Sequence, residues 1–365
     1  MSEFFDPIAI VGIAARLPGA RNITEYWHNL AAGRESITAL TDEELRAAGV
    51  PRSLLDDPAY VKMAGLAPDV DRFDARFFGM TAREADICDP QLRLFLEVAY
   101  EAIEDAGYDP TRMSRDVAVY GACGQNRYGD LHVMENPQYS ADADMGIMVL
   151  NSVEYLATLV SYKLNFRGPS MSVLTACSSS LTAVHLACQA LQLGECDAAL
   201  AAASNVDIPY RTGYRWTPGG VTSADGRCRP FDASGTGTIF TSGAGAVLLK
   251  RAADAIADGD HIWGVIHGVG VNNDGSDKVS FSAPSVAGQS AAIVDAMTRA
   301  GFDPLDIGYV EMHATGTPLG DPIEMGALAA AYRRLADAPL PTGRIPVGSV
   351  KGNVGHTNAV AGMAG

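Results

Sequence analysis

The stretch VLTACSSSLTAVHLACQAL, residues 173–191, decides how the chain is read: an apolar run ends in a turn of small residues, and a helix begins there. Cys177 sits in that turn. A thiol at a helix N-terminus meets unpaired backbone N–H groups and the positive end of the helix dipole, and both favour the nucleophilic thiolate. Ala176, Ser178 and Ser179 are small enough to let a bulky group approach the sulfur. Taken alone, a free cysteine is more often a buried small hydrophobe, and Cys188 and Cys196, further along the same stretch, keep that reading.

The same grammar returns in IPVGSVKGNVGHTNAVAGMAG, residues 345–365: a short apolar strand, a turn, then an Ala-rich helix. His356 occupies the turn here, as Cys177 does in the first unit. Two such units suggest pseudo-equivalent halves that bring their turns together. A third segment, VEMHATGTPLGDPIEMGAL at 310–328, places His313 between a β-like run and a Thr- and Gly-rich loop. Side chains at such strand-to-loop junctions can converge. His28, His132, His185, His261 and His267 lack that setting and read as structural.

The rest of the chain frames these turns. Residues 7–19, PIAIVGIAARLPG, read as a buried strand closed by Pro-Gly, followed by a helix that stops at Gly33. Residues 38–78 read mostly as loop. The clearest helix follows Asp89, a good N-cap, with Pro90 in its first turn. Leu94, Phe95, Val98, Ala102 and Ile103 share one face of it, and Gly107 ends it. Residues 117–123, VAVYGAC, form another buried strand.

Of 365 residues, 47% are hydrophobic and 19% charged, enough to bury a large core in two domains or two lobes. A net charge of −16 argues against general nucleic-acid binding. No apolar run approaches the roughly eighteen residues of a membrane span, and the opening MSEFFDPIAIVG has no signal pattern. The six cysteines are scattered without a CxxC pair, which argues against a disulfide framework or structural zinc and fits a reducing cytoplasm.

TACSSS, EMHATGTPLGDPIE and VKGNVGHTNAVAGMAG together resemble the active-site motifs of β-ketoacyl synthases, in particular the ketosynthase domain of modular type I polyketide synthases. PIAIVGIAARLPGA, ICDPQLRLFLEVAYEAIEDAGYDP and PGGVTSADGRCRPFDASGTGTIFTSGAGAVLLKR extend the resemblance along nearly the whole chain. It implies an α/β, thiolase-like fold with two similar halves in five α-β-α-β-α layers. The first half, 1–252, would hold the cysteine. The second, 253–365, would hold both histidines and be incomplete, because the chain stops at Gly365 inside an expected helix. The piece is therefore expected to belong to a longer polypeptide that it opens.

The resemblance also implies roles. Cys177 accepts an acyl chain from a carrier thioester. His313 and His356 bind the thioester carbonyl of a malonyl-type extender and assist its decarboxylation. Lys351 and Glu324 organise the polar network, with Asp321 close by in the motif. Thr315 and Thr317 hydrogen-bond the phosphopantetheine arm, and Ser282 is carried over with them although the family more often has threonine there. No cofactor or metal is implied to bind directly, since the acyl carrier protein brings the substrates on its phosphopantetheine arm. A homodimer and further synthase domains are the other implied partners, with no nucleic acid and no membrane.

Two departures stand out. Ala314 replaces a glycine usual after the first histidine, and TSGAG at 241–245 replaces a GEGAG-like pattern; neither is expected to touch a reacting group. A coenzyme A thiolase fits less well, since that group generally has a second cysteine in place of the paired histidines. A cysteine hydrolase lacks the Lys351 relay. A non-catalytic, chain-passing domain typically loses Cys177 or a histidine, and a decarboxylating loading domain carries glutamine for the cysteine. Finally, Arg211, Arg215, Arg227 and Arg229 cluster where an acidic carrier could dock, although loop arginines are usually just solvated.

Overall fold

The computed structural model describes residues 6–140, 145–276, 278, 280, 281, 283–336 and 340–365. A central six-stranded sheet forms from β1 (Ile8–Arg16), β2 (Val117–Cys123), β3 (Ser170–Ser172), β4 (Ala198–Asn205), β5 (Gly243–Arg251) and β6 (Gly264–Ile266). The strand order is β6-β1-β5-β4-β2-β3. β4 runs parallel to β2, and β2 to β3, whereas β1 and β5 run antiparallel to their neighbours. β6 lies beyond residue 252 in sequence, yet it pairs with β1 and closes one edge.

The sheet is buried on both faces because its strands are apolar at odd and even positions alike. Helix α1 (Ile23–Ala31) follows β1, and helix α2 (Pro90–Asp105) packs Leu94, Phe95 and Val98 onto one sheet face, against Val117, Val119, Leu200 and Leu248. Helix α3 (Leu156–Leu164) joins the same core. Helix α4 (Ser179–Leu193) covers the opposite face, where Ala183, Ala187 and Leu191 meet Ala118, Tyr120 and Ala201. Residues one apart along β2 and β4 thus serve two different cores, as strand geometry requires.

α2 begins as its sequence predicts: Asp89 accepts the Gln91 N–H at 2.9 Å, and Pro90 takes the first position. Residues 38–78 are less irregular than expected. Thr38–Ala39 pairs with Met63–Ala64, two short helices lie between them, and Leu40, Leu45, Val50 and Leu55 form a small core of their own.

The second half is built around helices α5 (Val286–Ala300) and α6 (Gly320–Leu335), which pack together through Val294, Met297, Leu328 and Tyr332. Beside them β7 (Val310–Glu311) pairs in parallel with β8 (Val347–Gly348). Among the described residues this second sheet has two strands, so the layering expected of the second half is represented by a short sheet flanked by helices. Helices α7 (Lys351–Val354) and α8 (Ala361–Ala364) follow β8 and return the chain to α4. Among the described residues, no single helix is long and apolar enough to cross a membrane.

Candidate active site

Cys177 lies in a single 3-10 turn, Ala176–Ser178, between β3 and α4. Hydroxyl groups brace this turn. Ser179 Oγ accepts the Thr175 N–H at 2.9 Å and donates to the Ala176 carbonyl at 2.7 Å, while Ser178 Oγ donates to the Thr175 carbonyl at 2.8 Å. The bracing holds Ala176 at φ +54°, a left-handed conformation that non-glycine residues seldom adopt. Such over-determined backbone is typical of positions where a side chain must be presented in one direction.

The Cys177 thiol does not behave as the sequence predicts. Burial pushes its pKa up, and the positive charge of Lys351 opposes that push without overcoming it. The cysteine precedes the first residue of α4 and is half-buried, so it has lost water that would favour the charged form.

His356 is reached through α7 and Gly355. Its backbone N–H donates to the Ile239 carbonyl at 2.8 Å, and its carbonyl accepts the Thr241 N–H at 2.9 Å, tying the turn to the strand entering β5. The side chain is 2% exposed. Nδ1 accepts the backbone N–H of Asn358 at 3.0 Å, and Asn358 adopts φ +52°. A nitrogen that accepts cannot carry the proton, so the neutral ring is protonated on Nε2. Burial, His313 and Lys351 together push its pKa down to about 3, which keeps the ring neutral at physiological pH.

His313 follows β7 and is exposed on one side. Burial of the remainder and the Lys351 charge lower its pKa to about 4, a push that its open face weakens relative to His356. Glu324 on α6 fixes its loop: one carboxylate oxygen accepts the His313 N–H at 2.6 Å and the other the Ala314 N–H at 2.7 Å. This bidentate grip explains how Ala314 can sit at φ +29° where a glycine is usual. Burial raises the Glu324 pKa, and the two backbone bonds and Lys351 pull it back.

The structure brings the three residues together. Cys177 Sγ and one ring nitrogen of each histidine lie within 4.8 Å of one another, and the two imidazole planes are nearly perpendicular with centroids 5.1 Å apart. Cysteine and histidine are also metal-ligating types, so the same trio has the donor chemistry for an ion. Lys351 is buried, with 4% of its surface exposed. Its burial lowers its pKa, opposed chiefly by Glu311 and then by Glu324.

Asp321 accepts the Phe231 and Gly316 N–H groups at 2.8 and 3.1 Å and is buried, so it ties the Thr-Gly-Thr loop to residue 231. The Thr315 and Thr317 hydroxyls lie 3.2 Å apart, and Thr317 also accepts the Gly320 N–H. Ser282 lies outside the described residues. A cavity of about 560 Å³ borders both key turns, lined among others by Cys123, Leu174, Ala176, Ser179, Asn358 and Ala359. Residues 124–126 and 151–154 also line it.

Sequence reasoning missed Glu311, whose Oε1 accepts the Val350 N–H at 2.7 Å just before Lys351. Strand alternation offered the signal, since residues 311 and 313 fall on one face. Thr241, which touches no reacting group, nevertheless bonds the His356 backbone, its N–H donating to the His356 carbonyl. The arginine cluster is not a free basic patch: Arg215 pairs with Asp57, Arg229 with Asp225, and Arg227 approaches Glu35 at 3.8 Å.

A mixed α/β fold that brings one cysteine turn and two histidine turns within 4.8 Å of one another defines a thiolase-like domain. The chain belongs to the β-ketoacyl synthase family: the sequence pattern of the beta-ketoacyl synthase N-terminal domain matches residues 5–255, and that of the C-terminal domain residues 263–365. It is 46% identical over 98% of its length to one polypeptide of the phenolphthiocerol/phthiocerol polyketide synthase of Mycobacterium tuberculosis, and 40% identical over 99% to polyketide synthase PksN of Bacillus subtilis. It spans 24% and 6% of those two polypeptides. Among solved structures it resembles ketosynthase twelve of the bacillaene polyketide synthase of Bacillus amyloliquefaciens, with TM-score 0.92 and 40% identity. That match covers 99% of this chain and 63% of the other. The module 1 ketosynthase of the bacillaene synthase from the same species gives TM-score 0.87 and 40% identity, covering 100% and 64%. The chain therefore spans under two thirds of the solved domains it matches.

Proposed function

We propose that this chain is the catalytic part of a polyketide synthase ketosynthase, which joins an acyl chain to a malonyl-type extender by decarboxylative Claisen condensation. The observation that carries this reading is the convergence of Cys177, His313 and His356 within 4.8 Å. In the first half-reaction the Cys177 sulfur attacks the carrier thioester carbonyl as a histidine takes its proton. The carrier thiol leaves with a proton, and the acyl group remains on sulfur. The Cys177 N–H, second in its turn and without a helical acceptor, can stabilise the oxyanion.

In the second half-reaction the malonyl carbon–carboxylate bond breaks, carbon dioxide leaves, and the electron pair moves into an enolate with charge on the thioester oxygen. His356, neutral and protonated on Nε2, supplies one donor to that oxygen, and His313 supplies the other. The enolate carbon then attacks the acyl carbonyl, the C–S bond breaks, and the Cys177 sulfur leaves as a thiolate that takes a proton from water, since its first proton departed with the carrier thiol. Buried Lys351 keeps the local field positive, and Glu324 positions the His313 loop. Thr315 and Thr317, beside the site, suit the phosphopantetheine arm of an acyl carrier protein, and no resident cofactor is part of this reading.

We read residues 1–252 as the half carrying the nucleophile and 253–365 as the half carrying the histidines; the two matched family regions, which end at 255 and begin at 263, support this division. A second copy of the chain and further synthase domains are the assigned partners. The edge position of β3, with Met171 half-exposed, suits pairing with a second copy. A cytoplasmic setting accords with six free cysteines.

Carbon dioxide release from a malonyl carrier tests the reading against a chain-passing domain. His313→Ala and His356→Ala are each expected to slow release by about a hundredfold or more, while Cys177 can still be acylated. Release that survives both substitutions would refute it.

A further inference from the structure

On the reading that His356 works in the site, we propose that Thr241 is its positioning residue, acting through buried Asn205 and its partner Asn358 to hold the ring in one tautomer and one place. Thr241 and Asn205 are 0% and 1% exposed. Thr241 touches the histidine turn at three points. Its N–H donates to the His356 carbonyl at 2.9 Å, and its hydroxyl donates to the Val354 carbonyl at 2.9 Å. Its methyl group packs against Gly355, where an added Cβ would lie 2.5 Å from Thr241 Cγ2. On the other side the same methyl faces Gly65, where the distance would be 2.1 Å. The side chain is thus wedged between two glycines, with its hydroxyl pinned to the residue that begins the turn.

From Thr241 a chain of hydrogen bonds reaches the ring itself. The Thr241 carbonyl accepts from Asn205 Nδ2 at 3.0 Å, and Asn205 Oδ1 accepts from Asn358 Nδ2 at 3.4 Å. Asn358, held at φ +52°, then donates its backbone N–H to His356 Nδ1. These links from the Thr241 carbonyl end in a single fixed donor at Nδ1, which assigns the proton to Nε2, while the hydroxyl holds the backbone that enters the turn. Asparagine is among the few non-glycine residues that tolerate the left-handed conformation, and its side chain is tied down at the same time. Removing the Thr241 hydroxyl orphans the buried Val354 carbonyl, one residue before Gly355, so the ring loses its register without any change to the reacting groups.

The test uses the full-length polypeptide carrying Thr241→Val, Thr241→Ser or Asn205→Ser. Two rates are read separately: acyl transfer to Cys177 by intact mass, and carbon dioxide release from a malonyl carrier. Thr241→Val is expected to lower kcat for release by about tenfold or more, with KM and acylation within about threefold. Thr241→Ser, which keeps the hydroxyl, is expected to restore release. Asn205→Ser is expected to show the same split more weakly, and it carries the test alone if Thr241→Val does not fold. Equal losses in both steps, no loss, or failure of Thr241→Ser to restore release would overturn the proposal. The ¹⁵N chemical shifts of the His356 ring in histidine-labelled protein read the cradle without turnover. A single Nε2-protonated form in the parent that becomes mixed in Thr241→Val supports it, and an unchanged tautomer sinks it even if the condensing activity itself proves absent.

Discussion

Gly355 carries the backbone into the histidine turn at φ +72°, ψ −163°, a conformation close to exclusive to glycine. A methyl group there would also meet the Ile239 carbonyl at 2.9 Å. Gly355→Ala is therefore expected to cost at least about 2 kcal/mol in urea unfolding and to abolish carbon dioxide release. Near-parent stability would show that the turn is not so constrained. Glu324→Ala leaves two backbone N–H groups unpaired, a cost of about 1–3 kcal/mol each where they are buried. The expected result is a lower Tm together with slower decarboxylation; unchanged values in both would remove its positioning role. Cys177, His313 and His356 were legible in sequence because each stands alone in a turn of small residues. Glu311, Thr241 and Asn205 were not, because their contacts cross between distant segments. The rise in the Cys177 pKa escaped too, since helix position is written in the sequence and the extent of burial is not.

Elements were legible where local rules and packing agree. α2 shows its cap, its proline and its apolar stripe, and it forms over the span those signals predict. Asp89→Ala is expected to lower stability by about 1 kcal/mol by equilibrium unfolding; no change would mean that packing alone fixes the start of α2. The Cys177 turn lies between a strand and a helix, whereas the His356 turn lies between two short helices. The sequence did not announce that α7 separates β8 from His356, nor that β3 is three residues long. Short strands depend on partners far away, and residues 38–78 show the same effect, as their pairings come from Met63–Ala64 and Arg215.

The molecule as a whole stores two neutral histidines beside a buried lysine, and this couples its stability to acid. The unfolded chain protonates these imidazoles near pH 6.5, whereas the folded site holds them down to about 4 and 3. Between those values the unfolded state binds more protons, so stability is complete above about pH 6.5 and falls as the pH drops. Unfolding free energy is expected to decline by a few kcal/mol between pH 6.5 and 4, and His356→Gln is expected to flatten that slope. A slope unchanged by the substitution would show that other groups set it. Prolonged dialysis against EDTA is expected to leave acylation and decarboxylation intact; activity lost and restored by zinc would recast the trio as metal ligands. The most direct measurement is intact mass spectrometry of the full-length protein incubated with an acyl thioester. The account predicts one acyl adduct on the parent protein, mapped to Cys177, and none on Cys177→Ala. An adduct on both proteins, or on neither, would contradict it.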